Sequence, residues 1–147
     1  MITDKLTIYT ENEDVNCIRE LVALCMDALE INPVPLTAFG RNASAAELSK
    51  DTRCVVLPQG LSVETEKRVR KFTYSIDDTK GDICVLNIQK RTNTTCFEVL
   101  YGVFMSRVFI PFESRFSPSQ VILAICILCG LGASIDKLIP LINEILK

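Results

Sequence analysis

The last third of the chain, residues 94–147, constrains the fold more than any other stretch. It opens with Thr94-Thr-Cys-Phe-Glu-Val-Leu-Tyr-Gly-Val-Phe-Met-Ser-Arg-Val-Phe-Ile110 and, after a break, continues Ser117-Pro-Ser-Gln-Val-Ile-Leu-Ala-Ile-Cys-Ile-Leu-Cys-Gly130. The first segment is apolar over most of a helical circumference, and the second is apolar all round after its first turn. Helices of that kind belong in the middle of a larger globule or in a membrane. Thr95-Cys-Phe-Glu98 and Ser117-Pro-Ser-Gln120 both have capping-box spacing, and Pro118 suits a first helical position. The pattern therefore predicts two central core helices, the first stopped by Pro111 and the second ended by Gly130 and Gly132. The apolar run 121–135 falls short of the ~18–20 residues a membrane span needs, and Asp136 and Lys137 follow at once. No stable membrane span is expected.

Upstream, Thr10-Glu-Asn-Glu13 is another capping box, followed by Val15, Ile18, Val22, Cys25 and Leu29 at helical spacing. Asn32, Pro33 and Pro35 end that helix. Ser44-Ala-Ala-Glu47 opens a short second helix, and Ser62 caps a third that carries Val63, Val69, Phe72 and Ile76. A final helical segment, residues 136–147, contains Pro140. Four capping boxes ahead of apolar periodic runs favour an all-α helical bundle with two central hydrophobic helices. Three strand-like runs (6–9, 54–57 and 83–88) keep an α+β fold as the alternative. Residues 83–88 read equally as helix or strand.

The chain's 147 residues fit a single domain, 1–147. A composition of 48% hydrophobic and 23% charged residues is globular rather than disordered. The formal net charge of −2 offers no general electrostatic case for nucleic acid. Seven cysteines, mostly inside apolar runs, read as reduced thiols of a cytoplasmic protein. The N-terminus shows neither a basic start nor an apolar signal core, so no secretory signal is expected.

Histidine is absent, which removes Ser-His-Asp and Cys-His nucleophile pairs and histidine metal ligands. Neither a P-loop nor G-x-G-x-x-G occurs. Cys126-Ile-Leu-Cys129 is a C-x-x-C inside an all-apolar helix, where inert core thiols outrank a redox pair or a zinc site. Asp77 and Asp78 suit a solvated turn. Lys67, Arg68, Arg70 and Lys71 form a basic cluster, read either as the wet face of a helix or as a contact for RNA. Catalytic residues, metal ligands and cofactors are not expected, and the chain is not expected to be an enzyme.

Residues 19–29, Arg19-Glu-Leu-Val-Ala-Leu-Cys-Met-Asp-Ala-Leu29, and residues 64–72, Glu64-Thr-Glu-Lys-Arg-Val-Arg-Lys-Phe72, together with the two central helices, resemble the Bcl-2 family of apoptosis regulators. The first stretch is similar to that family's first-helix motif, the second to the arginine-rich stretch after its third homology motif. The resemblance implies a small viral pro-survival protein that binds the amphipathic death-motif helix of a pro-apoptotic Bcl-2 protein in a hydrophobic groove. It places Val69, Phe72, Leu86, Phe97 and Tyr101 on the groove. The groove-edge cation is Lys90 or Arg91 if the family signature falls near Thr94, and Arg107 if it falls at Gly102. An open groove further implies a homodimer, and the family reading implies a host-cell cytoplasmic protein with mitochondrial association. The rival function is a viral or host α+β interaction domain that acts in assembly or binds nucleic acid through Lys67 to Lys71.

Overall fold

The short apolar runs that read as either strand or helix all fold as strands, and they build the sheet on which the rest of the chain packs. A computed structural model describes residues 5–10, 15–32, 36–39, 52–61 and 68–147. Its elements are β1 (Lys5–Tyr9), α1 (Val15–Ala28), β2 (Leu36–Phe39), β3 (Thr52–Pro58), β4 (Arg70–Ile76), β5 (Ile83–Lys90), β6 (Thr94–Tyr101), β7 (Phe104–Pro111), α2 (Pro118–Gly130) and α3 (Ile135–Leu146). One seven-stranded sheet has the order β2-β1-β3-β4-β5-β6-β7. Its strands are parallel from β2 to β5 and antiparallel from β5 to β7. The expected all-α, Bcl-2-like bundle is overturned: the fold is α/β. The capping box at Ser44 and residues 62–67 of the expected third helix lie outside the described residues.

β3 shows why the parallel half forms. Residues 54–57, Cys-Val-Val-Leu, are all buried, as a strand covered on both faces requires. On one face Leu6, Ile8, Cys54, Val56, Phe72, Tyr74, Ile83 and Val85 join the helices in the main core. On the other, Tyr9, Val55, Leu57 and Val69 form a smaller cluster. Burying a large aliphatic side chain stabilises by roughly 1.5–3 kcal/mol, so these two layers account for β3's position inside the sheet.

Only one of the two expected central helices exists. α2 has the capping box read from sequence: Ser117 Oγ accepts the Gln120 N–H at 3.3 Å, and Gln120 Oε1 accepts the Ser117 N–H at 2.9 Å. Every residue from Gln120 to Gly130 is buried, between the sheet and α1. At its carboxyl end the Gly130 carbonyl accepts from Arg70 Nη1 at 3.3 Å, so a cation satisfies one of the helix's orphan carbonyls. A β-carbon at Gly130 would stand 3.1 Å from Val56 Cγ2; glycine lets α2 close on the sheet there. At 13 residues, α2 is a core helix, and no helix among the described residues is long and apolar enough to cross a membrane.

Residues 94–110, the other expected helix, are the β6–β7 hairpin. Tyr101 pairs with Phe104 across the two-residue loop Gly102-Val103, with Gly102 at φ +63°. That loop length and a glycine at its first position match the twist of antiparallel strands. The third expected helix is likewise β4 over Arg70–Ile76. α1 and α3 are helices as read, with Pro140 carried inside α3. α3 covers the free edge of β7: Asn143 Oδ1 accepts the Phe109 N–H and Asn143 Nδ2 donates to the Arg107 carbonyl, both at 3.0 Å. One side-chain amide thus stands in for the next strand.

Candidate functional site

The strand order creates one special place in the sheet. From β1 the chain passes through α1 to β2 on one side, whereas β3 lies on the other side. Where connections diverge like this, the carboxyl ends of the two strands flank a crevice open to ligands. Such a crevice is present, a cleft of about 650 Å³. Thr10 enters it from the end of β1, Pro58 and Gln59 from β3, and Ser75 and Ile76 from β4. α2 closes it with Ser117 and Ser119 at its first turn and Ile122 and Leu123 one turn on.

The rim is held by local bonds. Tyr74 Oη donates to the Tyr9 carbonyl at 3.3 Å, tying β4 to the end of β1, and the Gln59 N–H donates to the Tyr74 carbonyl at 2.8 Å. Residues 77–82 fold back so tightly that β5 starts beside Tyr74. Asp77 takes φ +68° in that turn, and a β-carbon on Gly81 would lie 2.7 Å from the Ser75 nitrogen, so glycine is required. Ser75 Oγ donates to the Asp78 carbonyl at 2.8 Å and accepts the Gly81 N–H at 3.1 Å. Asp78 Oδ1 accepts the Lys80 N–H at 2.9 Å. The turn thereby presents an exposed carboxylate at the cleft wall.

Chemically, the described lining of the cleft combines an apolar floor (Tyr74, Ile122, Leu123) with hydroxyl and amide groups and one formal charge, that of Asp78. Among the described residues that line it there is no lysine or arginine. This composition suits a small organic molecule, bound through apolar contact and a few hydrogen bonds.

Of the residues expected to form a groove, Phe72, Phe97 and Tyr101 come together in the main core, and the rest lie elsewhere. Phe97 and Phe72 are core residues on the helix side of the sheet, with Phe72 edge-on to Tyr101 at 5.7 Å and Arg70 above its ring. Val69 belongs to the small cluster on the opposite face. Leu86 is half-buried on that face too, where Glu98, its partner in β6, pairs with Arg107 at 3.8 Å. Arg91 lies beside Arg107 in a small recess with Asn87 and Gln89. Lys90 lines a separate cleft with Phe112, Arg115 and Phe116, where Arg115 pairs with Glu20 of α1. The dimer expected from an open groove loses its basis with the groove.

Two other expectations can be placed. Arg68, Arg70 and Lys71 are exposed where β4 begins, at the end of the sheet opposite the cleft, while Lys67 lies outside the described residues. Arg68 spends a donor on the Thr52 carbonyl. The C-x-x-C thiols are core: burial pushes Cys129 up to about 12, and burial together with the neighbouring Cys129 raises Cys126 well above its ordinary value. Neither is a thiolate near neutrality. Sequence reasoning missed Thr10, Gln59, Ser75, Asp78 and Ser119. The sequence signals nearest to the cleft are the Ser117 capping box and the Asp77-Asp78 turn.

These features define an open α/β sheet domain with a switch-point cleft. No known family's sequence profile matches the chain, and no characterised protein matches it by sequence. Solved structures do match in three dimensions. The structure of UDP-N-acetylmuramoyl-L-alanyl-D-glutamate--2,6-diaminopimelate ligase superposes with a TM-score of 0.67 at 10% identity, over 98% of this chain and 46% of the ligase. Two crystal structures of MurF from Acinetobacter baumannii match with TM-scores of 0.60 at 9% and 11% identity, over 97% of this chain and 46% and 45% of theirs. The chain thus spans less than half the length of these ligases. At such identity the likeness speaks for the fold alone.

That likeness overturns the Bcl-2 resemblance, with its death-motif partner and apoptosis-inhibitor function, because the matching folds are mixed-sheet ligase structures. The expectation that the chain is not an enzyme is corrected too, since the solved structures that share its fold are enzymes.

Proposed function

We propose that this chain is a ligand-binding α/β domain related in fold to the muramoyl peptide ligases, and that it holds a small organic molecule in the switch-point cleft. The observation that carries this reading is a coincidence of position. The 650 Å³ cleft lies at the carboxyl ends of β1, β3 and β4, with the α2 amino terminus facing it. Open α/β sheets take their ligands there. The β1–α1 connection, Thr10-Glu-Asn-Glu-Asp14, has three carboxylates and no glycine or lysine, so the ligand is not gripped there as a P-loop grips a nucleotide triphosphate.

Backbone-amide NMR against a library of small fragments tests the reading. Binders should shift the signals of Thr10, Gln59, Ser75, Asp78 and Ser119, and Ser119→Trp, which fills the cleft from its exposed wall, should abolish those shifts. Fragments that bind elsewhere, indifferent to Ser119→Trp, would refute it.

A second reading, an interaction domain for nucleic acid, draws on the exposed Arg53, Arg68, Arg70 and Lys71 where β3 and β4 begin. Retention on RNA that weakens steeply with salt and is lost when Arg53 and Lys71 become glutamate would favour it.

A further inference from the structure

The chemistry of the cleft wall narrows the ligand, and the narrowing rests on the reading of the cleft as a ligand site. α2 points its amino terminus at the cleft, a position that ordinarily favours an anion through unpaired N–H groups and the helix dipole. Here those donors are largely consumed. The Gln120 N–H goes to Ser117 Oγ, the Val121 N–H to the Ser117 carbonyl, and the Ser117 N–H to Gln120 Oε1; Pro118 has none. Among the described residues no lysine or arginine lines the cleft, and the carboxylate of Asp78 is the one formal charge. The turn fixes Asp78 through one oxygen only, Oδ1, which takes the Lys80 N–H. Its partner residues in the turn, Ser75 and Gly81, bond to each other and to the Asp78 carbonyl rather than to its side chain. Tyr74, Ile122 and Leu123 line the same cleft, an apolar surface large enough for a ring or a short alkyl chain.

We infer that the cleft selects an organic ammonium compound, its cationic nitrogen on Asp78 and its hydrocarbon part on Tyr74, Ile122 and Leu123, over neutral and anionic molecules of the same shape. Recognition is by charge, with no bond made or broken.

Three probes of one shape test this: benzylamine, benzyl alcohol and phenyl phosphate, each titrated into the full chain and followed by the amide signals of the cleft residues. Benzylamine should bind roughly 1.5- to fivefold more tightly than benzyl alcohol, the range for an exposed ion pair, and phenyl phosphate most weakly. Asp78→Asn keeps an acceptor for Lys80 and should level benzylamine with the alcohol. In the unaltered chain, raising salt from low to high ionic strength should shrink the same preference, a measurement that needs no variant. Equal binding of all three probes in the cleft, or tightest binding of the phosphate, overturns the ammonium inference and leaves the cleft reading standing. Shifts in none of the cleft amides with any probe overturn both.

Discussion

The parallel and antiparallel halves of the sheet solve the same burial problem differently. In the parallel half, β3 is buried on both faces and needs four apolar residues in a row, while α1 and α2 cover one side and a second cluster the other. In the antiparallel half, β7 buries one face only. Val108 and Ile110 point to the core while Met105 (53% exposed) and Phe109 (44% exposed) point away from it. The parallel half has crossovers and therefore a switch point with its cleft; the hairpin half has short turns and none. The crevice forms where the topology diverges, and the ribbon extends the sheet.

Substitution of phenylalanines in the two halves gives the sharpest contrast. Phe72→Ala removes a ring packed under α2 and should cost about 3–5 kcal/mol in denaturant unfolding. Phe109→Ala, on the outward face of β7, should stay within about 0.5 kcal/mol. Equal costs would break the distinction between a two-sided and a one-sided half.

A smaller effect follows from the thiols over the parallel half. Burial raises Cys25 from 9.0 to about 11 and Cys129 to about 12. Unfolded, both ionise near 9 while the folded chain keeps its protons, so the unfolded state binds fewer protons in that range. The stabilisation is complete below about pH 9 and is lost as pH rises through 11 and 12. The slope is at most about 1.4 kcal/mol per pH unit for each thiol. Unfolding followed from pH 8 to 11 should show the decline, and Cys129→Ala should make it shallower.

The smallest effect concerns the edge. Asn143→Ala unmakes the two bonds that occupy β7, at about 1 kcal/mol. It leaves a strand edge free to pair with another copy. Sedimentation velocity should then show association at high concentration that the unaltered chain lacks.

How much of this was legible differs by element. α1 was readable from its periodicity, and α2 because capping and periodicity agree, with both capping-box bonds formed. β6 and β7 misled for a geometric reason. Phe97, Tyr101 and Phe104 stand at helical spacing, yet all three pack toward the core of a hairpin. A step of four keeps a residue on the same face of a strand, and the loop Gly102-Val103 resets the alternation before Phe104. The outward face added to the illusion, since Cys96 and Leu100 are apolar and only Glu98 marks it as wet. The Thr95-Glu98 capping-box spacing was coincidental, and Gly102 within Tyr-Gly-Val-Phe was the hairpin signal passed over. The cleft was not legible, because its residues come from four separated stretches that only the strand order brings together.

The central claim is that a small organic ligand sits at the carboxyl ends of β1, β3 and β4. The most direct measurement is a difference electron-density map from crystals soaked with a cocktail of small amines. The account predicts density in the cleft, over Ile122 and Leu123 and within hydrogen-bonding reach of Asp78. Density confined to the outer face of the β6–β7 ribbon, with the cleft holding only solvent, would contradict it.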